Sequence, residues 1–262
     1  MNMPLVSPTQ SLDRALHLLD HVVNHAKTGI SLVALANSAG LSKPTAHRLL
    51  SGLRQGGLVN YNARTRLFFP AFKLYRMGLA TGARFDIVQL AGSSMDRLAA
   101  ETGDTIYLSV RSGDQALCAA RRVGAFPIKT LTLEVGDARP LGLGAGSLAL
   151  LASMPDAEVK SAIERNGAVL AQHANFAPAR IWEHIELTRA NGYALNDGLM
   201  MPEMGAIGVA IRDPQGVATA ALSIAGLRSR LQLPRRSSLL GQLIREAENA
   251  EKAILSREAT DS

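Results

Sequence analysis

A chain of 262 residues that is 47% apolar, 19% charged and 4% aromatic has the composition of an ordinary folded protein, with room for one large domain or two smaller ones. No apolar run reaches the roughly 20 residues of a bilayer span, which excludes a helical membrane protein. The net charge of +6 is uneven: residues 1–80 hold nine Lys or Arg against Asp13 and Asp20, net +7, and the remainder is at −1, so a polyanion-binding head is expected on a neutral body.

Apolar residues Leu12, Ala15, Leu16, Leu18, Leu19, Val22 and Val23 recur at helical spacing, with Ser11 as the expected cap and Thr28-Gly29 as the stop. Residues 31–39 read as a short second helix capped by Ser31, and Gly40 supplies the positive φ of a tight turn. Ser42 then caps a third helix with Pro44 in its first turn, where a missing N–H does no harm. Ala46, Leu49, Leu50 and Leu53 form its inward face, while Ser42, Lys43, Thr45, His47 and Arg48 occupy the polar side near its start. Residues 58–61 and 67–69 read as two short strands with Arg64 and Arg66 between them. Helix, short helix, Gly turn, polar-faced helix and basic hairpin in this order predict a winged helix-turn-helix. Its third helix would meet base edges and its wing the DNA backbone. Arg14 on the first helix joins the expected contact set.

His17, His21 and His25 recur every four residues on the first helix, a spacing that can hold a metal. No cysteine or second ligand-bearing helix accompanies them, so a solvated or partner-facing polar face is the preferred reading, with no metal site expected. The one cysteine, Cys118, and the lack of a secretory pattern point to a reducing cytoplasm.

After a linking helix over 71–84, Asp86 is expected to cap a helix running to about Thr102. Strands are expected at 105–111, 115–122 and 128–133, the first two joined by Gly113-Asp114. Helices follow at 144–153, 156–166 and 178–191, then an extended stretch at 192–195. Strands at 206–212 and 217–225 flank Asp213-Pro-Gln-Gly216, and an amphipathic helix spans 235–256. The absence of strict βαβ alternation gives α+β, an antiparallel sheet carrying helices on one side. The start of the helix near Gly142-Leu-Gly-Ala-Gly146 offers free N–H groups to a carboxylate.

Taken together, Ser11-Leu-Asp-Arg-Ala15, the run Leu41–Leu50, Arg139-Pro140-Leu141, Ala149-Leu-Leu-Ala152, residues 192–197 and Ala221–Gly226 make the chain resemble the IclR family of bacterial transcription regulators, over essentially its whole length. The resemblance implies a winged helix-turn-helix over 9–70, a linking helix over 71–84 and a GAF-like effector-binding domain over 85–258. It also implies homodimers or homotetramers on a pseudo-palindromic operator. Positions matching the family's effector pocket are Ile128 and Leu131 as an apolar wall, Ala145 and Gly146 as backbone donors, and Asn196, Ala206, Ser223 and Ala225. Asn196 stands where an acid is common, Ala206 where Cys is common and Ala225 where Ser is frequent. Gly142 and Leu148 replace a common His and Lys or Arg. The pocket is therefore poorer in polar groups than the family pattern, and a small acid with an apolar or aromatic body is expected, since unpaired ligand polar atoms would cost about 1–3 kcal/mol.

No enzymatic constellation accompanies Cys118, and Ser147 lacks the Gly-x-Ser-x-Gly frame of a hydrolase, so neither catalysis nor a cofactor is expected. The alternative is an effector-independent DNA-binding regulator whose C-terminal domain serves only oligomerisation.

Overall fold

The computed structural model describes residues 9–82 and 87–261, and the chain divides into two compact units, Met1–Phe85 and Asp86–Ser262. The first runs α1 (Gln10–Asn24), β1 (Ile30–Ser31), α2 (Leu32–Ser38), α3 (Lys43–Gln55), β2 (Val59–Asn62), β3 (Leu67–Pro70) and α4 (Phe72–Gly82). Helix α1 begins one residue before the expected cap Ser11. Thr9 takes the cap position with no side-chain bond to the helix N–H groups, its hydroxyl going to Asp13 instead. Ser31 and Ser42 cap as their sequence context dictates, accepting from Ala34 N at 3.2 Å and Thr45 N at 3.3 Å. Gly40 has φ +61°, the left-handed turn between α2 and α3. Leu18, Val22, Leu35, Ala46 and Leu50, all at most 0% exposed, join Phe68 in one core. The sequence reading had no β1; Ile30 pairs with Phe68, so the wing is a three-stranded sheet ordered β1-β3-β2.

The expected cap Asp86 and positions 83–84 of the expected linking helix lie outside the described residues. The second unit runs α5 (Ile87–Leu90), α6 (Gly92–Thr102), β4 (Thr105–Ser112), β5 (Gln115–Val123), β6 (Ala138–Pro140), α7 (Ala145–Ala152), α8 (Asp156–Leu170), α9 (Pro178–Asn191), β7 (Ala194–Asp197), β8 (Met204–Arg212), β9 (Ala218–Leu227) and α10 (Arg235–Asp261). Its six strands form an antiparallel sheet ordered β6-β5-β4-β9-β8-β7.

Two expectations are corrected here. Helices cover both faces of the sheet, because the central strands are apolar on both sides. Ile106, Leu108, Ile207, Val209, Leu222 and Ile224 pack with Met95, Leu98, Leu239 and Leu243 of α6 and α10. Alternate residues face α7, which packs with α8 and α9 through Leu148, Leu151, Ile163 and Ile181. The strand expected at 128–133 does not form, and the sheet edge is taken by β6, pairing Ala116 with Arg139. The 128–133 segment is instead tied by side chains: Tyr107 Oη donates to Thr130 O at 2.6 Å and Arg121 Nη1 to Leu133 O at 2.7 Å.

Two ion-pair clusters hold the face away from α7. Asp104, its side chain 1% exposed, receives Arg230 at 2.9 Å and Arg235 at 2.7 Å. Glu246 of α10, 3% exposed, receives Arg97 of α6 at 2.6 Å.

Candidate functional site

In the first unit, α3 turns Ala46, Leu50 and Leu53 into the core and leaves Lys43, His47 and Arg48 exposed near its start. Ser42 and Thr45 are tied to one another, their hydroxyl oxygens 2.8 Å apart, so both are partly engaged in capping. Arg64 and Arg66 stand exposed at the tip between β2 and β3, where Asn62 Oδ1 accepts from the backbone N–H groups of residues 64 and 65 at 3.0 and 3.1 Å. Arg66 has φ +59°, a left-handed conformation held by a non-glycine residue. Arg14 is exposed on a separate element, α1. The Arg54 guanidinium lies 5.4 Å from the ring centroid of Tyr61 on β2, a basic group beside the wing that helical spacing did not single out.

On α1 the His17 and His21 Nε2 atoms are 3.1 Å apart, and His25 Nδ1 lies 2.8 Å from His21 O. Burial and the neighbouring His17 and His25 push the His21 pKa down. Among the described residues no group of three or more metal-ligating side chains comes together.

The second unit holds a cavity of about 90 Å³ between the sheet and the start of α7. Strand register dictates its floor. Tyr107 of β4 lies opposite Ser223 of β9, which lies opposite Gly208 of β8, and Ala225, Ala206 and Asn196 are similarly aligned across β9, β8 and β7. Gly208 has no side chain, and a Cβ there would lie 2.7 Å from both C and O of Ala145, so α7 sits directly on the sheet. That contact brings Ala145 and Gly146 to the cavity wall, with their first-turn N–H groups lacking partners within the helix.

Ser109 and Ser223 are 6% and 5% exposed, and their hydroxyls open on the cavity, bonded to no other group among the described residues. Asn196 spends its carbonyl oxygen on Leu199 N at 2.8 Å, leaving its amide N–H groups as donors. Met200, Met201 and Met204 form an adaptable apolar wall.

Six of the eight positions expected at the pocket, Ala145, Gly146, Asn196, Ala206, Ser223 and Ala225, line this one cavity. Ile128 and Leu131 do not: each is 52% exposed, and Thr130, Thr132 and Leu133 line the cavity instead. The correction follows from the missing strand. Without ladder bonds, the segment's side-chain direction is set by the tie between Tyr107 and Thr130, which turns Thr130 inward. Tyr107, Ser109 and Arg139 were missed from sequence; the alternation of Tyr107 and Ser109 on one face of β4 was the available signal, and Arg139 had none. Leu148 is 1% exposed in the core beneath α7, and Ser147 is spent on the preceding loop, bonding Gly142 N and Pro140 O at 3.0 Å each. Burial pushes the Cys118 thiol pKa up, which makes it a poor nucleophile.

A winged helix-turn-helix followed by an α+β unit with an internal cavity is the build of a DNA-binding regulator. Residues 11–63 match the IclR helix-turn-helix domain and residues 80–251 the bacterial transcriptional regulator IclR C-terminal domain, so the chain belongs to the IclR family, whose members are transcription regulators rather than enzymes. It is 25% identical over 247 residues to the acetate operon repressor of Salmonella typhimurium, covering 93% of this chain and 89% of that protein. It is 27% identical over 235 residues to the HTH-type transcriptional regulator XynR of Escherichia coli, covering 87% and 89%. Among solved structures, an IclR regulator from Silicibacter superposes with TM-score 0.81 at 23% identity, covering 93% of this chain and 96% of that one. An IclR homolog from Microbacterium hydrocarbonoxydans, solved with 4-hydroxybenzoate, does so with TM-score 0.75 at 19% identity, covering 94% and 99%. No described helix is long and apolar enough to cross a membrane.

Proposed function

We propose that this regulator senses a small organic acid with an apolar or aromatic body in the cavity beside α7, and thereby controls catabolic genes from a pseudo-palindromic operator. The observation that carries the reading is the pair of serines, Ser109 and Ser223, whose hydroxyls open on the cavity beside the first turn of α7. Hydroxyls that open on a cavity and are bonded to no protein group are free to bond a guest. Two relatives support the gene class and the ligand class: one is an acetate operon repressor, and one structural neighbour was solved with 4-hydroxybenzoate.

The DNA surface in this reading comprises Lys43, His47 and Arg48 with the adjoining Ser42 and Thr45, the wing residues Arg64 and Arg66, and Arg14. Exposed apolar side chains on α1 (Leu12, Leu16) and α4 (Phe72, Tyr75) support assembly of the head as a homodimer, with a homotetramer as the larger form.

Two expected results follow. A Cβ at Gly146 would lie 3.0 Å from Ser109 Oγ and 3.4 Å from Ser223 Oγ, so Gly146→Val closes the cavity. Gel shifts with promoter DNA should respond to a panel of aromatic and short aliphatic acids for the wild type and fail to respond for this variant, with acid-free DNA binding retained. A wild type indifferent to every acid would sink the sensor reading and leave the C-terminal unit an oligomerisation domain.

Arg66→Gly separates strain from function. Left-handed strain of about 1–2 kcal/mol is relieved, against about 0.4–1 kcal/mol of added unfolded-state freedom, so stability should rise by roughly 0.5–1 kcal/mol. DNA affinity should fall, with the slope of log K against log salt shallower by about 1. An unchanged slope would remove Arg66 from the phosphate contacts.

A further inference from the structure

We propose that Arg139 is the residue that selects for an acid: it takes the effector's carboxylate, while Ser109, Ser223 and the first turn of α7 hold a neutral oxygen on the same molecule. This rests on the reading of the cavity as the effector site, and adds to it where the charge is recognised.

Among the described residues, Arg139 is the one charged side chain lining the cavity. It reaches in from β6 at the sheet edge, two strands away from Ser109 on β4, so its backbone starts roughly 10 Å from that of the serine. Both side chains line the one cavity, so a small molecule held there can meet the guanidinium and the serine hydroxyl together.

Its guanidinium donates to Thr132 O and lies 3.7 Å, through Nη1, from Met200 Sδ. It forms no ion pair among the described residues, and the acid that acts on it from nearby is Asp137, whose carboxylate accepts from Glu134 N. Nine other arginines of this unit are paired with a carboxylate: residues 97, 111, 122, 165, 189, 228, 230, 235 and 245. Arg139 is thus a part-buried cation whose partners are one carbonyl and one sulfur, with N–H donors left over. A guanidinium presents five N–H groups in a planar fork that matches a carboxylate, and burial makes an unpaired cation costly. An anionic guest satisfies both conditions. The α7 terminus carries only partial charge, so the full cation of Arg139 attracts the carboxylate more strongly and leaves the α7 N–H groups to a second oxygen of the guest.

The test is calorimetric titration of the full-length protein with matched acids and amides: benzoate and benzamide, 4-hydroxybenzoate and 4-hydroxybenzamide, phenylacetate and phenylacetamide. The wild type should bind at least one acid 10-fold or more tighter than its amide. Arg139→Gln should weaken that acid roughly 10- to 100-fold and leave the amide unchanged. Arg139→Lys, which keeps the cation in the same place and loses the fork, should retain part of the preference, so it decides the matter if the Gln variant does not fold. Equal binding of acid and amide by the wild type overturns the proposal. So does full acid preference in Arg139→Gln, or acid affinity in Arg139→Lys equal to that of wild type; either outcome leaves the cavity as the effector site. Binding of no acid at all by the wild type overturns both readings.

Discussion

Gly208→Val should destabilise the C-terminal unit by about 3 kcal/mol, lowering its Tm by roughly 6–12 °C and abolishing acid binding. The reason is a backbone contact. A Cβ at 208 would stand 2.7 Å from C and O of Ala145 and 2.9 Å from Gly146 N. Side chains can change rotamer to relieve a clash; the first turn of a buried helix can only move as a body. Ala145–Ala152 is buried at every position, so lifting it off the sheet opens the core formed with Ile163 and Ile181. Gly208→Ala carries the same Cβ without the branches and should lie between the two. Scanning calorimetry of the three proteins decides it. A Val variant that melts with the wild type would mean that the helix seat does not depend on the missing side chain.

Glu246→Gln should cost about 2 kcal/mol at neutral pH and nothing near pH 2. Burial alone would raise the Glu246 carboxyl, but hydrogen bonds from Arg97, Asn249 and Ser94 hold it at about 2 against the ordinary 4.5. A carboxylate whose folded pKa is depressed stabilises the fold above its unfolded pKa, and that stabilisation disappears as pH falls from 4.5 towards 2. The full shift would correspond to about 3 kcal/mol, discounted here to ~2 because the Arg97 side chain is 47% exposed and finds water when its partner is lost. Urea denaturation from pH 7 to pH 2.5 should show wild type and variant curves converging at the acid end. Parallel curves, or a variant as stable as wild type at pH 7, would remove the pair from the account of stability. Because Glu246 sits on the face away from α7, acid binding at neutral pH should survive the change.

How much was legible differs between the two units for a physical reason. The head is built from local signals. Ser31 and Ser42 cap the helices that follow them, Gly40 makes the turn, and Asn62 nucleates the wing tip within three residues of chain, so reading along the chain recovers nearly all of it. What escaped were β1, because two residues carry no periodicity and their partner Phe68 is far along the chain, and the α1 cap, which falls on Thr9 rather than Ser11. In the body, the hairpins β4–β5 and β8–β9 were legible from their turns: Gly113 at φ +59°, and Asp213 accepting from Val217 N at 2.8 Å.

The amino-acid sequence by itself determined a basic, winged DNA-binding head and an α+β body, because caps, turns and alternation act over a few residues, while six of the residues around the cavity came from the resemblance to the IclR family. Tertiary structure alone decided three things. It placed helices on both faces of the sheet. It gave the sheet edge to β6 rather than to 128–133, which put Ile128 and Leu131 outside and Thr130 inside. It also carried Arg139 from that edge into the cavity without a carboxylate partner. Each depends on which of several apolar or extended segments wins a long-range pairing, and that competition is settled by packing and hydrogen-bond satisfaction across the whole domain, not by any local pattern.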